Sequence, residues 1–342
     1  MKVLFRVEAY LEIGLGHIMR CSALAQTLRV EGHEVCFVLS ERTLKLYQSR
    51  LASLGEVFIF PSANIATEPQ RLVNKCESLN VDWLIVDGYE FAQDYRYALH
   101  KKEFKLGIFD DVNDSGALYA DLVINGAIKA DVLNYHQTAP NASLALGDYY
   151  RILRPEFLQL ADRSWSVRTH LSIMFGGSDP QNLTLSFLKV IEKYAPDIPI
   201  VLITGLAYAH LPELEKWLKL SCLAIKHLHD CQYMADVLVN TRLAVSAAGG
   251  TQFELLACAT PALLLVTAKN QIFASQQAAE QGWCEVISLN DMNISQLVEH
   301  CVSAWQQTAQ LKKMHEQAKR FVTHDGAKHI VELMSQGLTD GK

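Results

Sequence analysis

The sequence predicts an α/β protein made of two Rossmann-like halves, each built on a parallel sheet. Strand-type and helix-type segments alternate through most of the chain, which is typical of parallel strands joined by helical crossovers. Some strand segments, such as residues 83–86, are apolar throughout, as expected where both faces of a sheet are covered. With 342 residues, the chain is long enough for two domains with separate cores.

In the first half, a helix is expected to follow the first strand, because Ile18, Cys21, Leu24 and Leu28 recur at helical spacing. A charged stretch from 151 to 168, which contains Pro155, is predicted to link a domain at 1–155 to a domain at 166–320. Strands are predicted at 2–7, 34–39, 57–60, 82–87, 105–109 and 122–125, with further helices at 42–54 and 70–79.

The second half repeats the same alternation without a residue-level repeat. Two such domains are expected to face each other across a cleft, and residues 321–342 are expected to form a C-terminal helical segment. Strands are predicted at 170–175, 198–204, 223–227, 243–247 and 262–266, and helices at 184–194, 232–240, 252–258, 274–280 and 295–336, with a break near Asp325-Gly326.

Composition narrows the class of protein. The net charge of -6 gives no support for nucleic-acid binding. The longest apolar run, 257–268, is too short to span a membrane and is broken by Pro261, and no secretory signal is visible, so we expect no membrane insertion. The 8 cysteines are scattered without a C-x-x-C pair and are expected to be buried thiols of a cytoplasmic protein.

The turn Gly14-Leu15-Gly16-His17 lies between the first strand and the first helix. A turn of this kind offers backbone N–H groups and a helix N-terminus to an anion such as diphosphate. Its spacing matches neither G-x-G-x-x-G nor a Walker A loop. Because the helix dipole favours a neutral imidazole, His17 is a candidate proton acceptor. The alternative is that His17 only caps the helix.

A second glycine-rich turn, Gly249-Gly250-Thr251, follows the strand predicted at 243–247. Its glycines would let the backbone approach a phosphate, and Thr251 is expected to cap the following helix. Glu254 has two interpretations, which the residues alone leave open. It is either the partner of a capping box or a carboxylate that accepts hydrogen bonds from the ribose hydroxyls of a nucleotide.

Two clusters suggest metal sites, although other interpretations fit them better. Asp110, Asp111 and Asp114 follow a strand without a histidine nearby, which is typical of a solvated turn, and Asp110 could order a catalytic neighbour. His227, His229 and Cys231 alternate near a strand end but lack a fourth ligand at a suitable spacing for zinc.

Motifs along nearly the whole chain resemble those of the UDP-sugar hydrolases of pseudaminic acid biosynthesis, which release UDP from UDP-2,4-diacetamido-2,4,6-trideoxy-β-L-altropyranose. The segment 14–21, GLGHIMRC, matches their G-x-G-H-x-x-R-C signature. The other matching stretches occur in the same order and are 86–89, 109–111, 146–157, 175–180, 246–254, 270–271 and 325–326.

The resemblance implies a GT-B-like fold, similar to that of the lipid II-forming transferase, and a UDP-sugar as the substrate. It implies that His17 is the general base that activates water. It also implies that no metal or other cofactor is needed, because helix ends and side-chain donors neutralise the diphosphate. The resemblance implies that Gly250, Thr251 and Glu254 hold the UDP, that Asn270 and Gln271 lie near the diphosphate or the sugar, and that Tyr89 stands by the sugar. The other residues expected to bind the substrate are Gly14, Gly16, Arg20, Asp110, Asn125, Gly176, Ser178 and Gly249.

Three stretches depart from the family pattern. Arg6-Val7-Glu8-Ala9-Tyr10 stands where R-x-D-x-S is usual, and Asn125-Gly126-Ala127 replaces N-Q-N or D-Q-N. The stretch 258–261, CATP, lacks the common glycine before proline, which we interpret as a matter of packing. The first two departures fall in the half expected to hold the sugar. They therefore leave the predicted reaction class unchanged and leave the identity of the sugar open.

The sequence therefore predicts an inverting, metal-independent hydrolase that acts on a UDP-linked deoxy amino sugar. Two alternatives remain from the sequence, a GT-B glycosyltransferase with the same donor and a non-catalytic nucleotide-sugar sensor. The signature settings of His17, Arg20 and Glu254 favour an enzyme. The sequence carries no signal for an oligomeric state.

Overall fold

The computed structural model describes residues 1–8, 16–43, 45–61, 67–160 and 164–339. The chain forms two compact units. Unit 1 is Met1–Arg154 together with His324–Lys342, and unit 2 is Pro155–Thr323. The predicted binding residue Gly14 lies outside the described residues.

Unit 1 contains a sheet of seven strands in the order β3-β2-β1-β4-β5-β6-β7, and every neighbouring pair is parallel. The strands are β1 Lys2–Val7, β2 Glu34–Ser40, β3 Glu56–Phe60, β4 Trp83–Asp87, β5 Lys105–Phe109, β6 Leu122–Asn125 and β7 Ser143–Leu146. The helices are α1 Gly16–Val30, α2 Lys45–Ala52, α3 Glu68–Leu79, α4 Gln93–Leu99 and α5 Tyr135–Thr138.

Unit 2 contains a six-stranded parallel sheet in the order β10-β9-β8-β11-β12-β13. Its strands are β8 His170–Met174, β9 Ile200–Thr204, β10 Ile225–His229, β11 Thr241–Ala247, β12 Ala262–Val266 and β13 Cys284–Ser288. Its helices are α6 Leu183–Tyr194, α7 Leu211–Leu218, α8 Met234–Val239, α9 Thr251–Ala257, α10 Ile272–Glu280, α11 Ile294–Gln306 and α12 Thr308–Ala318.

The predicted pair of Rossmann-like halves with parallel sheets is confirmed. Helices α4, α5 and α7 were not predicted, and the helix predicted at 295–336 is divided at residue 307 as well as near Asp325-Gly326. Among the strands, the main differences lie at the sheet edges. Strands β7 and β13 were not predicted from the sequence, and the strand predicted at 223–227 lies at Ile225–His229. All three are edge strands. An edge strand is covered less completely than a central one, so it lacks the continuous apolar run that marks β1 or β4.

Parallel strands place their carboxyl ends at one edge of a sheet, and ligands bind at that edge in open α/β folds. In unit 1, β1 lies beside β4, and β4 lies beside β5. The turns that follow these three strands are therefore neighbours, although they are far apart in the sequence. In unit 2, β8, β11 and β12 are consecutive neighbours in the same way.

The last helix, α13 Gly326–Thr339, belongs to unit 1 and packs against α1. The Trp83 indole N–H donates a hydrogen bond to the Met334 carbonyl at 3.1 Å. The His329 ring stacks on Tyr149 with the ring centroids 3.7 Å apart. The end of the chain therefore supports the helix that carries His17.

Replacing Gly326 with alanine should destabilise unit 1. A Cβ atom at this position would overlap the backbone of Tyr150 and Arg151, which cannot move aside as a flexible side chain can. Overpacking of this kind costs about 1–3 kcal/mol of unfolding free energy. Thermal unfolding monitored by circular dichroism measures the loss.

Gly337→Ala in the same helix is the matched control. Its Cβ would lie 3.2 Å from the Trp83 side chain, and alanine is a better helix former than glycine, so a much smaller change is expected. Equal melting temperatures for Gly326→Ala and the wild type would show that the backbone contact does not fix α13.

The expectation of buried thiols is correct for six cysteines and wrong for two, since Cys222 is exposed and Cys231 is half-buried. Cys222 follows α7 at the surface, where no apolar spacing in the sequence signals its position. No helix in the described part of the chain is long and apolar enough to cross a membrane.

Candidate active site

His17 lies in the first turn of α1, and its side chain is buried. Its Nδ1 lies 2.5 Å from Oδ1 of Asp87, the last residue of the neighbouring strand β4. A carboxylate accepts hydrogen bonds only, so Nδ1 carries the proton and Nε2 is left to accept one. Arg20 Nη2 lies 3.2 Å from His17 Nδ1. Because both nitrogen atoms carry hydrogen in this tautomer, they do not form a hydrogen bond with each other.

Arg20 holds Asp87 from the other side. Its Nε and Nη2 donate to the two carboxylate oxygens of Asp87, each at 2.7 Å, which is the bidentate geometry that fixes a carboxylate firmly. Its Nη1 donates to Asp111 Oδ1, also at 2.7 Å. His17 and Arg20 are three residues apart on α1 and therefore share one face of the helix.

Charge within this cluster explains its ionisation. Burial alone would raise the pKa of Asp87, but the charge of Arg20 and the hydrogen bonds from Arg20 and His17 hold it well below its usual range. Burial is likewise outweighed at Asp111, whose pKa is lowered chiefly by Arg20. Two carboxylates and one guanidinium leave one negative charge. An imidazolium formed at His17 during a reaction would neutralise that charge.

Tyr89 stands beside this cluster at the surface. Its ring meets the His17 ring edge-on, with the centroids 4.7 Å apart, and 50% of the residue is exposed. Its hydroxyl donates to Asp111 Oδ2 at 2.8 Å. Tyr89 therefore presents a polar and aromatic surface next to His17, on the carboxyl edge of the sheet.

Two residues predicted to bind the substrate, Asp110 and Asn125, form hydrogen bonds within unit 1. Asp110 Oδ1 accepts hydrogen bonds from the backbone N–H of Val112 and Asn113 and from the Tyr135 hydroxyl, at 3.1, 2.6 and 2.7 Å. The Asn125 side chain donates to the Tyr135 hydroxyl oxygen and accepts from the backbone of the next turn.

Sequence reasoning missed Asp87 and Asp111, which contact His17 and Arg20. The signal for Asp87 was present, because the apolar strand β4 ends in a carboxylate. Its position beside β1 depends on the strand order, which the sequence alone does not give. In the pair Asp110-Asp111, the sequence does not show which carboxylate is hydrogen-bonded within the turn and which one faces Arg20 and Tyr89.

The first two departures from the family pattern lie inside unit 1. The Glu8 side chain is only 2% exposed and accepts hydrogen bonds from Arg6 Nη2 at 2.5 Å and from the Ser40 hydroxyl at 2.8 Å. Gly126 packs against Arg151, whose Cα would lie 2.8 Å from a Cβ on residue 126. Glu8 is therefore held by internal hydrogen bonds, and Gly126 lies against the Arg151 backbone. Tyr10, which also belongs to the first departure, lies outside the described residues.

The third departure has a backbone consequence. Ala259 adopts φ of 51°, a left-handed conformation that costs a residue with a side chain about 1–2 kcal/mol. Arg168 Nη2 donates to the Cys258 carbonyl at 2.6 Å, and His315 Nδ1 lies 2.7 Å from the Ala259 carbonyl oxygen. These bonds hold the turn that follows α9 in a conformation that glycine would adopt without this strain, so the departure affects the backbone rather than the packing that the sequence suggested.

In unit 2, the turn after β11 presents Gly249 and Gly250, and α9 begins at Thr251. Neither glycine has any described atom within 4 Å of an added Cβ, so the space beside the turn is open. The prediction that Thr251 caps the helix is wrong, because Gly250 occupies the N-cap position and no side chain bonds the cap. Without a capping side chain, the capping-box interpretation of Glu254 no longer applies.

The turns after β8 and β12 lie on the same edge. Gly176 adopts φ of 89° with open space beside it, and Ser178 is buried two residues later. Asp179 accepts hydrogen bonds from the backbone N–H of residues 183 and 184, at 2.9 and 2.8 Å, and so fixes the start of α6. Asn270 and Gln271 form a short turn after β12, where Gln271 Oε1 accepts from the Thr267 backbone at 2.8 Å.

The second candidate metal cluster is organised around a hydroxyl. His227 Nε2 and His229 Nδ1 lie 2.8 and 3.0 Å from the Thr204 hydroxyl oxygen, at the carboxyl ends of β9 and β10. Burial lowers the pKa of His227 below its usual value. Within the described ranges, no group of three or more His, Cys, Asp or Glu side chains is arranged to hold a metal ion.

Comparison with known proteins identifies the fold. Residues 172–338 match the family model described as Glycosyltransferase family 28 C-terminal domain. MurG of Acinetobacter baumannii has a TM-score of 0.68 with 14% identity, and the alignment covers 98% of this chain and 99% of that one. HepE of Anabaena, solved in complex with UDP, has a TM-score of 0.64 with 13% identity over 98% and 100% of the two chains. The chain therefore has the fold of these GT-B glycosyltransferases.

Three curated relatives are similar in sequence. The UDP-2,4-diacetamido-2,4,6-trideoxy-beta-L-altropyranose hydrolase of Campylobacter jejuni is 25% identical over 83% of this chain and 98% of its own length. The spore coat polysaccharide biosynthesis protein SpsG of Bacillus subtilis is 23% identical over 94% and 91%. An uncharacterized protein of Methanocaldococcus jannaschii is 27% identical over 78% of this chain. The matched region covers 55% of that relative's own length. The resemblance inferred from the motifs is confirmed, at modest identity.

Proposed function

We propose that this protein hydrolyses a UDP-linked 2,4-diacetamido-2,4,6-trideoxyhexose to the free sugar and UDP, as a step towards a pseudaminic-acid-type sugar. The observation that carries the proposal is the contact of 2.5 Å between His17 Nδ1 and Asp87 Oδ1. This contact orients an imidazole with an unprotonated Nε2 at the carboxyl edge of a Rossmann-like sheet. The relative from C. jejuni carries the name of this activity.

In the proposed reaction, His17 Nε2 removes a proton from water as the water oxygen attacks the anomeric carbon. The bond between that carbon and the diphosphate oxygen breaks, and UDP leaves with inversion at the sugar. Asp87 holds the imidazole in the required tautomer and stabilises the imidazolium that forms. Arg20 keeps Asp87 ionised and in place through its two hydrogen bonds.

We assign the UDP to the edge of the unit 2 sheet. Gly249, Gly250 and Gly176 leave open space beside turns whose backbone can approach a diphosphate. Glu254 lies in the first turn of α9, where its carboxylate would accept hydrogen bonds from the ribose hydroxyls. The match of residues 172–338, which include this edge of the sheet, to the C-terminal domain of a glycosyltransferase family supports this assignment.

Replacing Gly249 with alanine should weaken UDP binding at least tenfold without lowering the melting temperature. In the protein alone the new methyl group meets open space, and the backbone of Gly249 is not among the positive-φ conformations that would strain alanine. With UDP bound, the methyl group would occupy the space that the diphosphate approaches. Titration calorimetry with UDP and thermal unfolding together provide the two readouts.

Gly282→Ala is the control with the opposite expected result. Gly282 has φ of 76°, so alanine there is strained and should lower the melting temperature, while UDP affinity stays unchanged. Unaltered UDP affinity in Gly249→Ala would remove this turn from the nucleotide site.

A glycosyltransferase is the second candidate, favoured by the family match of residues 172–338 and by the likeness to MurG. The two activities differ in what receives the sugar. Incubating the protein with the UDP-linked diacetamido sugar alone distinguishes them, since a hydrolase releases UDP without an acceptor. Release that begins only when an acceptor is added would establish the transferase, and binding without turnover would establish a sensor.

A further inference from the structure

The Asp111 carboxylate retains unused capacity to accept hydrogen bonds. Its Oδ1 accepts from Arg20 Nη1 at 2.7 Å, and its Oδ2 accepts from the Tyr89 hydroxyl at 2.8 Å and from Arg20 Nη2 at 3.4 Å. A carboxylate offers about four acceptor positions, so Oδ1 retains a position beside these three donors. The side chain is 24% exposed, so a ligand can reach that position. Its low pKa, due chiefly to Arg20, keeps it a pure acceptor.

The neighbouring polar groups on this edge are engaged internally. Glu8 is bound to Arg6 and Ser40 and is almost fully buried. Asp110 Oδ1 receives three donors from its own turn and from Tyr135. The amide of Asn125 is bonded on both its oxygen and its nitrogen. Asp111 differs from Glu8 and Asn125 because it is half-buried rather than buried. It differs from Asp110 because its partners are Arg20 and Tyr89, next to His17, rather than the backbone of its own turn.

We propose that Asp111 is a specificity-determining residue that accepts a hydrogen bond from the amide N–H of an acylamino group on the sugar. In the same complex, the Tyr89 hydroxyl turns from Asp111 and donates to the carbonyl oxygen of that amide. This inference rests on the proposed function, and it names the substituent that the sugar side of the site selects.

A secondary amide fits this pair better than other sugar substituents. The carboxylate can only accept and the tyrosine hydroxyl can donate, so the pair matches a group whose donor and acceptor lie on adjacent atoms. An ester of the same shape lacks the N–H and directs oxygen lone pairs at the Asp111 carboxylate. A buried acceptor left without its donor is the feature by which binding sites reject such analogues most strongly.

The test compares the UDP-linked diacetamido sugar with two analogues, in each of which one N-acetyl group is replaced by an O-acetyl group. The wild-type protein should prefer the amide over one of the two esters by at least about 100-fold in kcat/KM. In Asp111→Asn, that preference should fall below about tenfold, because the asparagine NH2 can donate to the ester. Asp114→Asn, an exposed carboxylate on the same loop, should keep the wild-type preference.

The outcomes separate the possible roles of Asp111. Equal loss of amide and ester turnover in Asp111→Asn would mean that Asp111 acts only by placing Arg20, and this overturns the inference. Wild-type protein that hydrolyses the amide and both esters equally well also overturns it, while the proposed function stands.

Binding gives the same comparison without turnover. The His17→Asn variant should bind the diacetamido sugar nucleotide more tightly than the ester analogue that the wild-type protein disfavours. In the double variant that also carries Asp111→Asn, this difference in affinity should disappear. Equal affinities would overturn the inference even if the protein proved to be a transferase or a sensor. A failure of hydrolysis with the affinity difference intact would instead refute the proposed function alone.

Discussion

Replacing His17 with alanine is expected to lower turnover by about 10²–10⁴-fold while leaving UDP affinity nearly unchanged. The imidazole is the group placed to take the proton of the attacking water, and we assign UDP to unit 2. Steady-state kinetics and UDP calorimetry on the same preparation measure the two effects. His17→Asn should behave like His17→Ala, because an amide cannot serve as the base.

His136 provides the matched control, since it is an exposed histidine in unit 1. His136→Ala should retain wild-type turnover. If His17→Ala kept near-normal turnover, His17 would have no part in the chemistry, and the acid–base role would have to be assigned to another group.

Asp87→Asn is expected to reduce turnover by a comparable factor, about 10²–10⁴-fold, with little change in KM. The amide keeps the shape of the carboxylate but removes the charge that selects the His17 tautomer and stabilises the imidazolium. It also removes one of the two carboxylates that hold Arg20. Because Asp87 is buried, Asp87→Asn should also have a lower melting temperature. The kinetics of the variant and of the wild type are therefore compared at a temperature well below the melting temperature of the variant.

Asp121→Asn controls for the loss of a carboxylate–cation pair away from the site. Asp121 pairs with Lys105 at 3.4 Å and accepts from the Leu106 backbone at 2.8 Å. Its loss should alter stability slightly and turnover not at all. If Asp87→Asn lost stability but kept its turnover, Asp87 would be a packing residue rather than the partner of the base.

The sequence predicted the features that depend on local pattern. The first strand and the helix that carries His17 follow from apolar spacing within about 30 positions. The two parallel sheets follow from the alternation of strands and helices. Edge strands such as β13 could not be predicted, because polar residues at their partly exposed positions interrupt the apolar run in the sequence.

Contacts that depend on strand order could not be predicted in the same way. Asp87 reaches His17 across 70 positions only because β4 lies directly beside β1 in the sheet. The error at Thr251 has a different cause. Propensity favours threonine as a cap, but the backbone enters helical geometry one residue earlier, at Gly250. The distinction between Asp110 and Asp111 depends on the turn geometry and on Tyr135.

The central claim is that His17 directs water to the anomeric carbon, and the position of the new oxygen atom tests it most directly. The reaction is run in ¹⁸O-labelled water with the UDP-linked diacetamido sugar and no acceptor, and both products are analysed by mass spectrometry. Attack at carbon predicts that the label appears in the free sugar and that UDP stays unlabelled. Label in the terminal phosphate of UDP would mean attack at phosphorus and would contradict the proposed role of His17.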